Sequence, residues 1–309
     1  MIYFIGGFGI WYPMTRILLT RSALTFLVLA ISACVSARAP QIPTPRPEPG
    51  DRSGEVQTVP ATIPVAGEWS IRYADQRVTY RVTRNAVING TDLTAPGDSS
   101  SNVTHETVRL LSASNDGNFT VSAVADTFTT TTQGRIGTPQ PVPTPIEITA
   151  TLSPSGLSIL TPVEDSSCNP GISVVAADMY NLFPGIPAHL NSGLAWQDTT
   201  RTRGCQGGIS TTSESIRSFT VIGELTRGGQ HAIQIEAVDS LTAEGQGMQQ
   251  QHQITLRASG GGRATYLIDP ATGKVIHLEL NHTLHMLITA EGHDSAFVQK
   301  VRQIFDIVP

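Results

Sequence analysis

The chain has 309 residues, a net charge of −5 and only 15% charged side chains, well under the roughly 25% of an average soluble domain. No stretch carries the basic stripe that a nucleic-acid binder needs, so nucleic acid is set aside as a partner. The length allows one or two domains, and the abundance of Thr, Ser and Gly favours strands and turns over helices, because β-branched residues suit a pleated surface.

Residues 1–13 are apolar without positive charge, and Met14 is the expected start. From there Arg16 and Arg21 form a basic n-region, Ala23 to Ile31 an apolar h-region, and Ser32 and Ala33 a small-residue site. This is the pattern of a secretory signal over residues 1–33; the apolar run falls short of the roughly 20 residues of a membrane span. Ile31-Ser32-Ala33-Cys34 resembles the bacterial lipobox. The resemblance implies that Cys34 carries lipid and becomes the mature N-terminus, anchoring the chain to a membrane. Val35 stands where such lipoproteins commonly carry an inner-membrane retention Asp, which leans towards the outer membrane, facing the periplasm. Loss of residues 1–33 removes two arginines and no acid, leaving 18 cations against 25 acids, a net −7.

Residues 34–64 form a linker after the lipid site. Seven prolines lie between 38 and 64, and PTPRPEPG favours polyproline II. A stretch of that length reaches about 80 Å when extended, enough to hold a domain away from the bilayer.

From Val65 the pattern is strand and turn. Apolar and β-branched residues alternate over 68–73, 77–83, 103–112, 118–129, 145–152 and 156–160, and again over 216–225, 230–239, 250–258, 263–268 and 274–288. Turn signals separate them at SNDGN (114–118), SPSG (153–156), TRGG (226–229) and DPATG (269–273). The glycines at 260–262 read as a hairpin loop. The stretch 108–126 shares its plan with 219–239, and the hairpin 147–163 shares its plan with 264–280. The β-rich domain 65–309 therefore reads as two similar halves, about 65–165 and 190–309. Helix is expected over Ile172 to Leu182. A second is expected over Ser295 to Phe305, with Ser295 as N-cap; a final strand is the alternative there.

After Cys34 only Cys168 and Cys205 remain. An exported setting favours pairing them. The 38-residue loop so closed is worth roughly 4 kcal/mol in the chain-entropy view. Two free thiols or a metal pair is the competing arrangement, but two Cys without a His cluster make a poor zinc site.

The segment FPGIPAHLNSGLAWQDTT (183–200), with Gly193-Leu194-Ala195-Trp196, resembles a segment of bacterial envelope proteins. The strand–Gly–strand unit and the DPATG hairpin that follow fit the same pattern. Those proteins are similar to the curved, incomplete barrels of LolA-type lipoprotein carriers. The resemblance implies a mainly β fold, an antiparallel curved sheet or incomplete barrel with one or two short helices, and an apolar-ligand cavity. It assigns no functional residue.

No motif carries catalysis. There is no Gly-x-Ser-x-Gly elbow, no His-Glu-x-x-His and no phosphate loop. On a continuous strand His277 and His285 share one face and His282 the other, so the three do not converge on a metal and read as exposed polar residues. His293 and Asp294 read as a solvated turn. Trp69 and Trp196 are candidate ligand-wall residues, with core or rim aromatics as the plainer alternative. The expectation is a non-enzymatic, membrane-anchored envelope lipoprotein without cofactor that binds an apolar ligand or lipid. The alternative is a structural lipoprotein that engages another envelope protein.

Overall fold

A computed structural model describes residues 64–75, 77–90, 99–115, 118–134, 144–153, 156–160, 170–206, 209–249 and 252–308. Cys34 and Cys168 lie outside the described residues.

Alternating side chains make long strands. β1 (Glu68–Ser70) pairs with β7 (His189–Asn191) in a two-stranded ribbon. The remaining strands are β2 (Arg77–Gly90), β3 (Ser99–Asn115), β4 (Asn118–Gly134), β5 (Ile146–Ser153) and β6 (Gly156–Ile159), then β8 (Ala195–Gln206), β9 (Ile209–Arg227), β10 (Gln230–Gln249), β11 (His252–Ile268), β12 (Val275–Ala290) and β13 (His293–Ile307). They form one antiparallel sheet of eleven strands in the order β6-β5-β4-β3-β2-β13-β12-β11-β10-β9-β8. It is curled into a half-barrel. The chain runs outward from β2 to β6, crosses to the far edge at β8, and meanders back until β13 pairs with β2. The expected incomplete barrel is therefore the fold, with a single helix among the described residues.

That helix, α1 (Pro170–Leu182), makes the crossing between the two edges. Pro170 suits its first position, where the missing N–H costs nothing, and Pro184 follows its end. Its sequence is apolar nearly all round, and from Val174 to Met179 every residue is buried, as expected of a helix enclosed on every side. It touches β4 and β5 from one edge of the sheet and β8 from the other. Val175, Ala176, Met179 and Leu182 join one core cluster with Tyr80, Val108, Ile148, Phe219, Ile235, Tyr266 and Phe305. The helix thus fills the hollow of the curled sheet.

Three sequence expectations change. Residues 295–305 are strand, not helix. Gln299, Val301, Gln303 and Phe305 are buried at every second position, a period that only a strand presents to one face, and β13 bonds to β12 and β2 along its length. The turn lies one step earlier, at Glu291 and Gly292, with φ of 51° and 78°. His293 and Asp294 therefore begin β13, where Asp294 accepts a hydrogen bond from Thr289 Oγ1 at 2.6 Å. The glycines at 260–262 are not a loop either: β11 runs through them from His252 to Ile268, joining what read as two strands. The DPATG turn is as expected. Asp269 takes the Ala271 N–H and the Thr272 hydroxyl on its carboxylate, and Gly273 has φ of 67°, an Asx-type turn.

Candidate functional site: the polar belt of the half-barrel

The inward positions of each strand change character along its length. On β2 they read Val78, Tyr80, Val82, Arg84, Ala86, Ile88. On β12 they read Leu278, Leu280, His282, Leu284, Met286, Ile288. One end belongs to the large core around α1 and the other to a second apolar cluster that includes Leu241, Leu256 and Met286. Polar residues lie between the two.

Strand register builds this belt in two stretches. Asp198 on β8 stands opposite Arg217 on β9, which stands opposite Asp239 on β10. Asp239 faces Gly262 on β11, and Gly262 faces His282 on β12. On the other side of the barrel Gln303 on β13 stands opposite Arg84 on β2, and Arg84 opposite Thr104 on β3.

The first part of the belt is closed. Arg84, fully buried, gives Nη1–H to Glu106 Oε2 at 2.5 Å and Nη2–H to Asp178 Oδ2 of α1. Gln303 Nε2 donates to Asp178 Oδ1 at 2.9 Å. One guanidinium thus holds a strand and the helix together. Two carboxylates share it, and Glu106 Oε1 has no hydrogen-bond partner among the described residues. Burial pushes the Glu106 carboxyl up to about 7; Arg84 pulls it down, and Asp178 adds to the rise.

The second part is a cluster around a small cavity of about 20 Å³ lined by Ser213, Ser215, Thr200, Thr202, Asn181, the charged Arg217 and Asp239 of β9 and β10, and His282 of β12. His282 Nε2 lies 3.3 Å from Asp239 Oδ2, although β11 runs between their strands. Gly262 permits this: a Cβ there would collide with the His282 ring and the Asn281 carbonyl, so the absent side chain is the path by which the imidazole crosses. Burial lowers the His282 pKa to about 4, so the ring is neutral at neutral pH. Arg217 gives Nη1–H to the Tyr266 hydroxyl at 3.4 Å and lies 3.9 Å from Asp198, while its Nε and Asp239 Oδ1 have no partner among the described residues. Burial raises the Tyr266 phenol.

Beyond this cavity the sheet opens. Between the edges β6 and β8 lies an opening of about 400 Å³, bordered by Leu157, Phe183, Ile186, Asp198 and Arg201. Tyr180, Thr200 and Arg217 line both this opening and the inner cavity. A second, more apolar opening of about 270 Å³ lies beside it, walled by Ile71, Tyr73, Phe119, Leu152 and Pro184. The two share Gly156, Gly185, Ile186 and Pro187. Burial raises the Tyr73 phenol to about 12.

The sequence-expected residues fall around this site rather than in it. Trp196 stacks on Phe219, with centroids 4.9 Å apart and planes 9° from parallel, and its Nε1–H holds the Gly185 carbonyl at 2.8 Å. It fixes the loop that walls both openings. Trp69 packs against the core, and its Nε1–H binds Glu224 Oε2 at 2.8 Å. Cys205 is buried, and its backbone N–H donates to Ser173 Oγ of α1 at 2.7 Å. His277 lies on the outer face, 2.7 Å from Asp306; His282 points inward and is buried, contrary to the exposed face expected of it. No group of three His, Cys, Asp or Glu that could hold a metal occurs among the described residues. Arg84, Glu106, Asp178, Arg217 and Asp239 were not singled out by sequence. For the four on strands, the one sequence signal is a charge at an inward phase of an alternating strand, as at Arg84 after Val78, Tyr80 and Val82; Asp178 is a lone acid in the otherwise apolar run of α1.

No family profile matches the chain, and no curated protein matches it in sequence.

Proposed function

We propose that this chain is an exported lipoprotein, anchored through Cys34 on a proline-rich tether, whose half-barrel binds an apolar ligand without catalysis. The observation that carries this reading is the gap between β6 and β8. Eleven strands curl but do not close; α1 fills the centre, and the space left is two adjoining openings, an apolar one walled by Ile71, Tyr73, Phe119 and Leu152 and a larger, more polar one bordered by Asp198, Arg201 and Arg217, with Ile186 on both. Concave sites of several hundred Å³ with apolar walls and a few polar groups are typical of small-molecule binding. Because side chains of the helix occupy the barrel centre, the ligand's place is at this gap. Cys205 and Cys168 are proposed as a disulfide. Cys205 sits against Ser173 in the first turns of α1, and position 168 lies only five residues upstream of Ser173 in sequence.

Gentle extraction of the full chain followed by native mass spectrometry tests the binding reading. An apolar molecule should co-purify, or an added one should be retained. A chain that carries nothing and retains nothing across a panel of lipids would refute it.

A second reading rests on the same edges. Among the described residues, β8 pairs only with β9 and β6 only with β5, so an envelope protein could add a strand there. Crosslinking in the host that captures one dominant protein through the β8 edge would favour this reading.

A further inference from the structure

We infer that the gap takes a single-chain amphiphile with an uncharged, hydroxyl-bearing head, its chain on the apolar wall and its head at Thr200, Tyr180 and Arg217. This inference rests on the binding reading above and names the ligand class. Its basis is the order in which the three spaces adjoin. The apolar opening of about 270 Å³ shares Gly156, Gly185, Ile186 and Pro187 with the larger one, and the larger one shares Tyr180, Thr200 and Arg217 with the polar cavity of about 20 Å³. A molecule lying along this path meets apolar atoms at one end and hydrogen-bonding groups at the other.

Charge selects the head. Around the polar end stand one buried guanidinium, Arg217, and two carboxylates, Asp198 and Asp239; Arg201 also borders the opening, but it is exposed and its Nε–H is held by Glu214. His282 beside Asp239 adds no positive charge, because burial keeps it neutral. An anionic head would gain one cation and face two acids. A cationic head would have to sit against a guanidinium whose side chain is only 9% exposed. Burying either charge without a clean counter-ion is costly. A hydroxyl incurs neither cost, since it both donates and accepts, and the site holds one orphan of each kind. Arg217 Nε is a buried donor without a partner and Asp239 Oδ1 a buried acceptor without one, among the described residues. The hydroxyls of Thr200, Ser213 and Ser215 complete the lining. A cavity of this size admits one hydroxyl or one water, so only the tip of the head reaches inward.

The test offers the full chain three molecules of one chain length: dodecanoylglycerol, dodecanoate and dodecylammonium, at equal concentration, read as bound fraction by native mass spectrometry. The glycerol ester should be retained at least about tenfold better than either charged chain. Thr200→Val, of nearly the same shape but without the hydroxyl, should cut that preference several-fold. Equal retention of all three, or a preference for dodecanoate, would overturn the head assignment and leave the apolar-ligand reading standing. Retention of none would remove both.

Discussion

Replacing Arg84 by Leu would leave Glu106 and Asp178 buried without the guanidinium they share. Breaking a buried pair from one side typically costs about 3–5 kcal/mol, so Arg84→Leu should lower the chemical-unfolding free energy by that order. A loss no larger than that of an exposed Arg81→Leu control, measured by urea titration, would contradict the buried clamp. Glu106 adds a pH dependence with a definite sign. Its ordinary value is 4.5 and its folded value about 7, so between these the folded chain holds a proton that the unfolded chain has released. The stabilisation is complete below about 4.5 and is lost as pH rises through about 7. Glu106→Gln keeps the neutral shape and removes the titration. The wild type should therefore lose stability relative to the variant over that interval, and parallel curves of unfolding midpoint against pH would refute the assignment.

At the scale of elements, β11 and α1 carry the features the barrel depends on. A methyl group at Gly262 would meet the His282 ring and the Asn281 carbonyl, whereas one at Gly247 would meet only ordinary contacts of 3.5 Å and beyond. Gly262→Ala should cost about 1–3 kcal/mol, as overpacking does, and Gly247→Ala should stay within about 0.5 kcal/mol. Similar melting temperatures for the two would show that β11 has room the structure denies it. On α1, Met179 is fully buried among the strands of the large core. Met179→Ala should cost about 2–5 kcal/mol through the cavity it leaves, readable in the same thermal scan. The surface pair Arg302–Glu279, at 2.8 Å and half exposed, should contribute little by comparison.

For the whole molecule, the anchoring proposal has a direct consequence. Cys34→Ser should leave the β-domain folded, with an unchanged far-ultraviolet spectrum, while abolishing fatty-acid labelling and moving the chain from the membrane to the soluble fraction. Labelling that persists in the variant would end the proposal. The proposed binding function depends on the sheet failing to close. Had β6 paired with β8, the barrel would have no gap, and α1 would have no outlet beside it.

Much of the local structure was legible in the sequence. Period-two alternation marked β2, β4, β10 and β12, because a half-buried strand must alternate its faces. Asp269 to Gly273 marked a turn because each residue has a bond or a dihedral to satisfy there. Two segments misled for a physical reason. Three glycines in a row look like a loop unless the neighbouring strands are known to press against them. Phe297, Val301 and Ile304 share a helical face, and the segment is also β-branched, so helix and strand compete until β2 and β12 claim its backbone. The polar belt was not legible. Arg84 meets Asp178 across 94 residues and His282 meets Asp239 across a strand between them, and only the register of the curled sheet brings such groups to one level. Composition and periodicity determined that this chain is β and where most of its strands run; the tertiary structure alone decided which inward charges share a cavity, because that depends on how eleven strands align and where the sheet stops.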